Sequence, residues 1–410
     1  MELERTGESP LTVQTDLTPQ KLANLRDEFY LQLEKFWPMV GVGLEGRSFN
    51  AVQKAMQHLH GLGRLLNRNI FGADYEKVRA MFLRACPTWR NADSEDYLAP
   101  VIEVRALLEH MLPFEFIPIF DMNEPPGVSR FNELEPLAAR FLGFSTAIRR
   151  IFADPEDESA SPQKAPSCQL DNEPRLSVRF FKHAGLEGAK EEQKFFRGAP
   201  WIDLRGPWPD REIAQQQFTT ELVTEICRGS VAGVAIQHPP DHIQHFACHC
   251  NTTRQNPFGH TLYLAHDTGW FSNEGYARRA VIRDLQRELP PLARARAGDP
   301  YTLVFLNACG AAKLTPEGAA SFIDLFLKLG NRGVIGSEVR VPDVFAAAFS
   351  QQFYLNLIRK FSLGDAILRA RWTLWKIKHN PLGILYAVYA DPYLSVRRHY
   401  LNATSTSAEP

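Results

Sequence analysis

The 410-residue chain predicts a mixed α/β fold, a mainly parallel sheet sandwiched by helices with a helical N-terminal region ahead of it. Three observations predict it. From Leu176 onward, short apolar runs alternate with helical stretches long enough to serve as crossovers, the pattern of βαβ units. The run Leu303–Leu306 is continuously apolar, as a central parallel strand covered on both faces requires. In roughly the first 150 residues, by contrast, apolar side chains recur at helical spacing.

In chain order, Thr18-Pro19 is a cap and first-turn pair, and Leu22, Leu25, Phe29, Leu33 and Phe36 then mark the buried stripe of one helix. Val52, Met56, Leu59, Leu62 and Leu66 mark a second. These stripes are read as packing faces. Leu112 to Phe120 is a short strand or turn, and its Glu115 is expected to be a buried hydrogen-bonding anchor. Strands follow at Leu176–Phe181, Trp201–Leu204, Ile243–Ala247, Thr302–Leu306, Gly333–Gly336 and Ile384–Tyr389. Helices are expected around Ile213–Ile226, Tyr276–Leu289, Phe322–Leu329, Phe345–Arg359 and Leu363–Lys376. Residues 154–174, with four prolines and several acids and serines, have almost nothing to bury and read as a linker or exposed loop. The expected division is therefore a mostly helical region over 1–153, the linker over 154–174, an α/β domain over 175–395 and a polar tail over 396–410. The helical region is read as part of that domain or packed on it.

Composition narrows the function classes. The 46 basic and 47 acidic side chains leave a net charge of −1, so no nucleic acid or membrane partner is expected from bulk charge. Six scattered cysteines make no disulfide scaffold and fit a reduced, cytoplasmic compartment. No stretch reaches the ~18 apolar residues of a bilayer span, and the N-terminus does not read as a signal peptide.

Active sites of open parallel sheets lie beyond the carboxyl ends of the strands. Two such ends carry reactive residues: one runs into Cys248-His249-Cys250, the other into Asn307-Ala308-Cys309. If those strands are neighbours, about 4.8 Å apart, His249 and Cys309 leave them side by side. An imidazole beside a thiol generates the thiolate that attacks a carbonyl, and can later protonate a leaving amine. Backbone N–H groups at such turns are placed to hold an oxyanion.

The ordered set HFACH (His245–His249), VFLNAC (Val304–Cys309), GVIG (Gly333–Gly336) and VPD (Val341–Asp343) resembles the CHAT-domain cysteine peptidases, relatives of caspases, gingipains and separase. LPFEF (Leu112–Phe116), the helix after SLGDA (Ser362–Ala366) and PLGILYAVYADP (Pro381–Pro392) extend the likeness, which runs from about Leu112 to Pro392. The resemblance implies a caspase-like sheet and a cysteine endopeptidase with His249 as general base and Cys309 as nucleophile. It also implies an oxyanion hole from the backbone N–H groups of Cys309 and Cys250. It implies a protein substrate such as a gasdermin-like pore former, an activating protein partner and a role in bacterial antiviral defence.

The chain departs from that pattern at three places. Cys250 stands where the family has glycine after the histidine, which removes glycine's conformational freedom but keeps the N–H. Gly336–Asp343 lacks the family's tryptophan. Asn307 replaces the aspartate by which metacaspases read a basic residue before the scissile bond, leaving Asp343 as the acid for that role; Asn307 and Asp343 are thus the expected substrate-binding positions. No cofactor is required and no metal is expected. Strand alternation puts His245 and His249 on one face and Cys248 and Cys250 on the other, which weighs against this His/Cys cluster closing around zinc; a metal-dependent hydrolase is the third reading, after the peptidase and the scaffold below. The rival expectation is a caspase-like scaffold that binds partners without cutting.

Overall fold

A computed structural model describes residues 17–44, 48–85, 99–106, 111–118, 129–152, 175–228, 241–251, 260–266, 278–288, 302–308, 321–329 and 331–396, with short strands at Glu2–Leu3, Leu11–Thr12 and Gln169–Leu170. Cys309, nearly all of the 154–174 linker and the tail from residue 397 lie outside the described residues.

The first helix forms where the Thr18-Pro19 pair predicts. Thr18 Oγ1 accepts the N–H of Lys21 at 3.3 Å and opens α1 (Pro19–Leu33), whose Leu25, Phe29, Tyr30 and Leu33 are buried. A short α2 (Phe36–Val40) turns the chain into α3 (Phe49–Phe71), capped by Ser48 and packed through Val52, Met56, Leu59 and Leu66. After α4 (Tyr75–Ala85), strand β1 (Val101–Ala106) runs parallel to β2 (Ala147–Phe152), with α5 (Phe131–Ala138) between them. Leu112–Phe116 contributes a 3-10 turn at Phe114–Phe116. Its buried Glu115 accepts a hydrogen bond from Arg150 of β2 at 2.5 Å, the anchoring role read from the sequence.

The central sheet is built from β3 (Leu176–Lys182), β4 (Ile202–Trp208), β5 (Ile243–Asn251), β6 (Thr261–Leu264), β7 (Arg278–Val281), β8 (Leu303–Ala308), β9 (Gly333–Ser337) and β10 (Tyr386–Ala390). Its main order is β4-β3-β5-β8-β9-β10, parallel throughout except for the β9–β10 pair. Where β3 ends, the antiparallel strands β6 and β7 continue the sheet beside the last residues of β5. The mainly parallel architecture is the one expected.

Helices cover both faces. On one, α6 (Glu187–Gly198), α10 (Asp343–Ile358) and α11 (Leu363–Lys378) join α1 and α3 in one apolar cluster with Ile243, Leu303, Phe305 and Ile335 of the sheet. On the other, α7 (Gln215–Arg228), α8 (Ile282–Glu288) and α9 (Phe322–Lys328) pack with Phe246, Val304, Leu306 and Val334. The N-terminal helices therefore share a core with the sheet domain. Gly188 lets α6 approach α10: a Cβ there would lie 2.2 Å from the Asp343 carbonyl oxygen.

Three elements differ from the sequence reading. Tyr276–Leu289 reads as one helix, but Arg278–Val281 is a strand paired with β6, and the helix begins only at Ile282. Pairing along an open edge outweighed a helical pattern carried by Val281, Leu285 and Leu289. Ile384 and Leu385 belong to a 3-10 turn (Pro381–Leu385) rather than to the last strand. And β5 does not stop at Ala247: it runs on through His249 and Cys250 because β6 supplies a new partner, Tyr263 opposite His249 and Leu262 opposite Cys250.

Candidate active site

The two strands that carry the reactive residues are neighbours. In the β5–β8 ladder Phe246 pairs with Leu306, Ala247 with Asn307 and Cys248 with Ala308. Both strands are buried up to that point, and His249 then emerges exposed at the carboxyl edge. Ala308 is the last described residue of β8, and Cys309 follows it directly in the sequence.

Strand alternation sorts the side chains of β5 as expected. Ile243 and Ala247 belong to the cluster under α6 and α10, and Phe246 and Cys248 to the opposite one. Half-buried Cys250 also packs against that second cluster, so both thiols point away from the face that carries His249. Among the described residues no group of three or more His, Cys, Asp or Glu side chains is arranged to hold a metal ion.

A cleft of about 600 Å³ opens above the strand ends, walled by His249, Asn307, Ser337, Arg340, Asp343 and, from the N-terminal region, Trp37. Its floor is a buried polar network. Asn307 Nδ2 donates to Glu192 Oε1 at 2.6 Å, and Tyr386 OH donates to Asn307 Oδ1 at 2.6 Å. The same Glu192 oxygen accepts from Ser350 and lies 3.1 Å from His245 Nε2, while His245 Nδ1 lies 3.2 Å from Tyr354 OH. Asn307 is thus at the cleft with its amide engaged at both ends. Asp343 lines the cleft too, but its carboxylate accepts the N–H groups of Gly188 at 3.1 Å and Val344 at 2.9 Å, clasping α6 to the start of α10. Cys250 lies within regular strand, opposite Leu262.

Two participants escaped the sequence reading. His183 follows β3 and packs edge-on against His249, ring centroids 4.8 Å apart and planes 70° apart. Its Nδ1 accepts the Gly185 N–H at 3.1 Å. Burial, and then the positive charge of a protonated His249, hold the His183 imidazole down to about 4. The only available signal was a histidine just past a strand that neighbours β5, and strand order is not legible from sequence.

The second is Glu338, next to Ser337, whose Oγ donates to the Ala308 carbonyl at 3.0 Å. The Glu338 carboxyl is fully buried and accepts from Tyr30 OH of α1 at 2.5 Å and from Tyr389 OH at 3.0 Å. Burial, and then the charge of Glu115, push it up to about 7, against the lowering pull of Arg150 and the two tyrosines. Through it the first helix is tied to the strand end that braces the residue preceding Cys309.

Two crystal structures of the Saccharomyces cerevisiae separase–securin complex, at 3.0 and 2.6 Å, are similar over 93% and 95% of this chain and 28% of theirs, at 10% identity and TM-scores of 0.40 and 0.39. A probable protease of Vitiosangium sp. (strain GDMCC 1.1324) is 36% identical over 116 residues, 28% of this chain; the matched segment spans only 15% of that relative's own length. The family model of the CHAT domain matches residues 148–399, from within β2 to just past β10, and the chain belongs to the CHAT-domain family.

Proposed function

We propose that the chain is a caspase-like cysteine endopeptidase in which His249 and Cys309 form the catalytic dyad. The observation that carries this reading is the parallel β5–β8 register, Cys248 opposite Ala308, which brings the two strand ends preceding His249 and Cys309 to one edge of one cleft. His249 takes the Cys309 thiol proton, and the thiolate attacks the carbonyl carbon of the scissile peptide bond. The backbone N–H groups of Cys309 and Cys250 hold the resulting oxyanion. As the tetrahedral intermediate collapses, the C–N bond breaks and His249 returns its proton to the leaving amine. A water molecule, deprotonated by His249, then attacks the thioester, releasing the new carboxylate and restoring the thiol. The Vitiosangium relative is named a probable protease, which supports a peptidase reading.

The test is to incubate wild type, Cys309→Ala and His249→Ala with cell lysate and to identify new protein N-termini by mass spectrometry. Cuts are expected from wild type alone. Equal cutting by either variant would remove the dyad.

A scaffold that binds without cutting is the second reading, and Cys250 in place of glycine beside the histidine favours it. An electrophilic thiol probe separates the two. The peptidase reading expects Cys309 to be labelled well ahead of Cys248 and Cys250, because both of those pack against apolar core; equal labelling favours the scaffold.

A further inference from the structure

Among the described residues, the lining of the cleft includes a cation that this chemistry does not use. Arg340 lies in the connection between β9 and α10, is exposed, and lines the cleft beside His249 and Asn307. It has no hydrogen-bond or ion-pair partner among the described residues. Its two chain neighbours, Val339 and Val341, are 0% and 5% exposed, so an anchored backbone presents the guanidinium.

The acids around it are differently placed. Asp343 accepts two backbone N–H groups, and Glu192 is buried beneath Asn307, His245 and Ser350. Both carboxylates are therefore occupied by the protein's own donors, while the guanidinium is not. Half-buried Trp37 and Val42, 62% exposed, give the same cleft an apolar wall, so an incoming chain displaces water from around the cation. A planar guanidinium in a partly dehydrated cleft matches a carboxylate with two parallel N–H···O bonds, which no amide or ammonium reproduces.

We propose that Arg340 selects substrates by an acidic side chain, Asp or Glu, close to the scissile bond. This rests on the peptidase reading and names the substrate class of the same site. It also moves selection away from the basic side chain that Asp343, taken from the sequence alone, was expected to read. Arg340 is a specificity residue here: it contacts the substrate's side chain and takes no part in moving the proton.

The test uses the full chain and a panel of N-acetylated peptidyl acyloxymethyl ketones, which alkylate a cleft thiolate and carry no terminal carboxylate of their own. Each carries Asp, Asn or Lys at one of the four positions nearest the ketone, and adducts at Cys309 are followed by mass spectrometry. At one position the Asp probe is expected to react about tenfold faster than its Asn counterpart, the factor set by about 1.4 kcal/mol, with Lys slowest. Arg340→Ala should bring the Asp/Asn ratio to about one, and Arg340→Glu should reverse the order of Asp and Lys. Equal rates for Asp and Asn at all four positions, or an Asp advantage that survives Arg340→Ala, would overturn the acidic selection while leaving the peptidase reading standing. If no peptide labels Cys309 in protein shown by circular dichroism to be folded, it is the peptidase reading that falls, and the selection with it.

Discussion

The two faces of β5 make the clearest contrast in the molecule. On one, Phe246 stacks on Phe181, ring centroids 4.3 Å apart and planes within 6°, and Cys248 lies in the same apolar cluster. On the other, one residue out of step, His245 sits in the Glu192 network, Ala247 floors the cleft and His249 opens to solvent. Both faces remove apolar surface from water, and the face of His245 must in addition give the buried polar groups around Glu192 partners of their own. A strand can carry both because successive side chains point to opposite faces. Its two cysteines therefore belong to packing, and its two histidines to the site and its support.

Breaking the polar face should cost most. Glu192→Ala removes the acceptor shared by Asn307, Ser350 and His245, and should lower stability by about 3–5 kcal/mol, read as a fall in the urea midpoint. A loss below about 1 kcal/mol would mean that the three groups find other partners.

The next effect is in pH, where two groups of opposite sign overlap. Glu338 has its folded pKa raised from 4.5 to about 7, so its contribution is present below 4.5 and is lost as pH rises to about 7. His183 has its folded pKa lowered from 6.5 to about 4, so its contribution is present above 6.5 and is lost as pH falls to about 4. Between pH 4.5 and 6.5 the two slopes oppose, and denaturant midpoints of wild type should change little on their account. Glu338→Gln should unmask the histidine and make the protein less stable at pH 5 than at pH 7. His183→Phe should unmask the carboxyl and reverse that order. Parallel pH profiles in all three proteins would contradict this pairing.

On the apolar face the effects are smaller. Cys248→Ala removes one buried sulfur atom and should cost about 1 kcal/mol. Cys250→Gly keeps the N–H assigned to the oxyanion and should still permit substrate cleavage, at a strand-flexibility cost of roughly 0.5–1 kcal/mol in thermal stability. Complete loss of cleavage would give the Cys250 thiol a role of its own and blur the contrast between the faces.

Much of this was legible along the chain because local physics decides it. Thr18, read as a cap, does cap the first helix through its own hydroxyl, three residues from the N–H it accepts. The apolar run of β8 admits only a strand covered on both sides, and Glu115 sits in a segment too apolar to leave a carboxylate unpaired. His249 and Cys309 stand out because reactive residues at the ends of two parallel strands have few other uses. The edge strand at Arg278–Val281 was misread because its structure comes from a partner ladder, which leaves no period in its own four residues.

What the chain alone determined, then, is the alternation of strand and helix, the faces on which side chains fall, and which residues have reactive chemistry. Tertiary structure alone decided that Asn307 and Asp343 meet internal donors and acceptors, that His183 abuts His249, and that Tyr30 reaches Glu338 across 308 residues. The physical reason is range. Caps and periodicity act within one or two turns of backbone, whereas register, burial and the pairing of buried charges depend on which distant segments the hydrophobic core brings together.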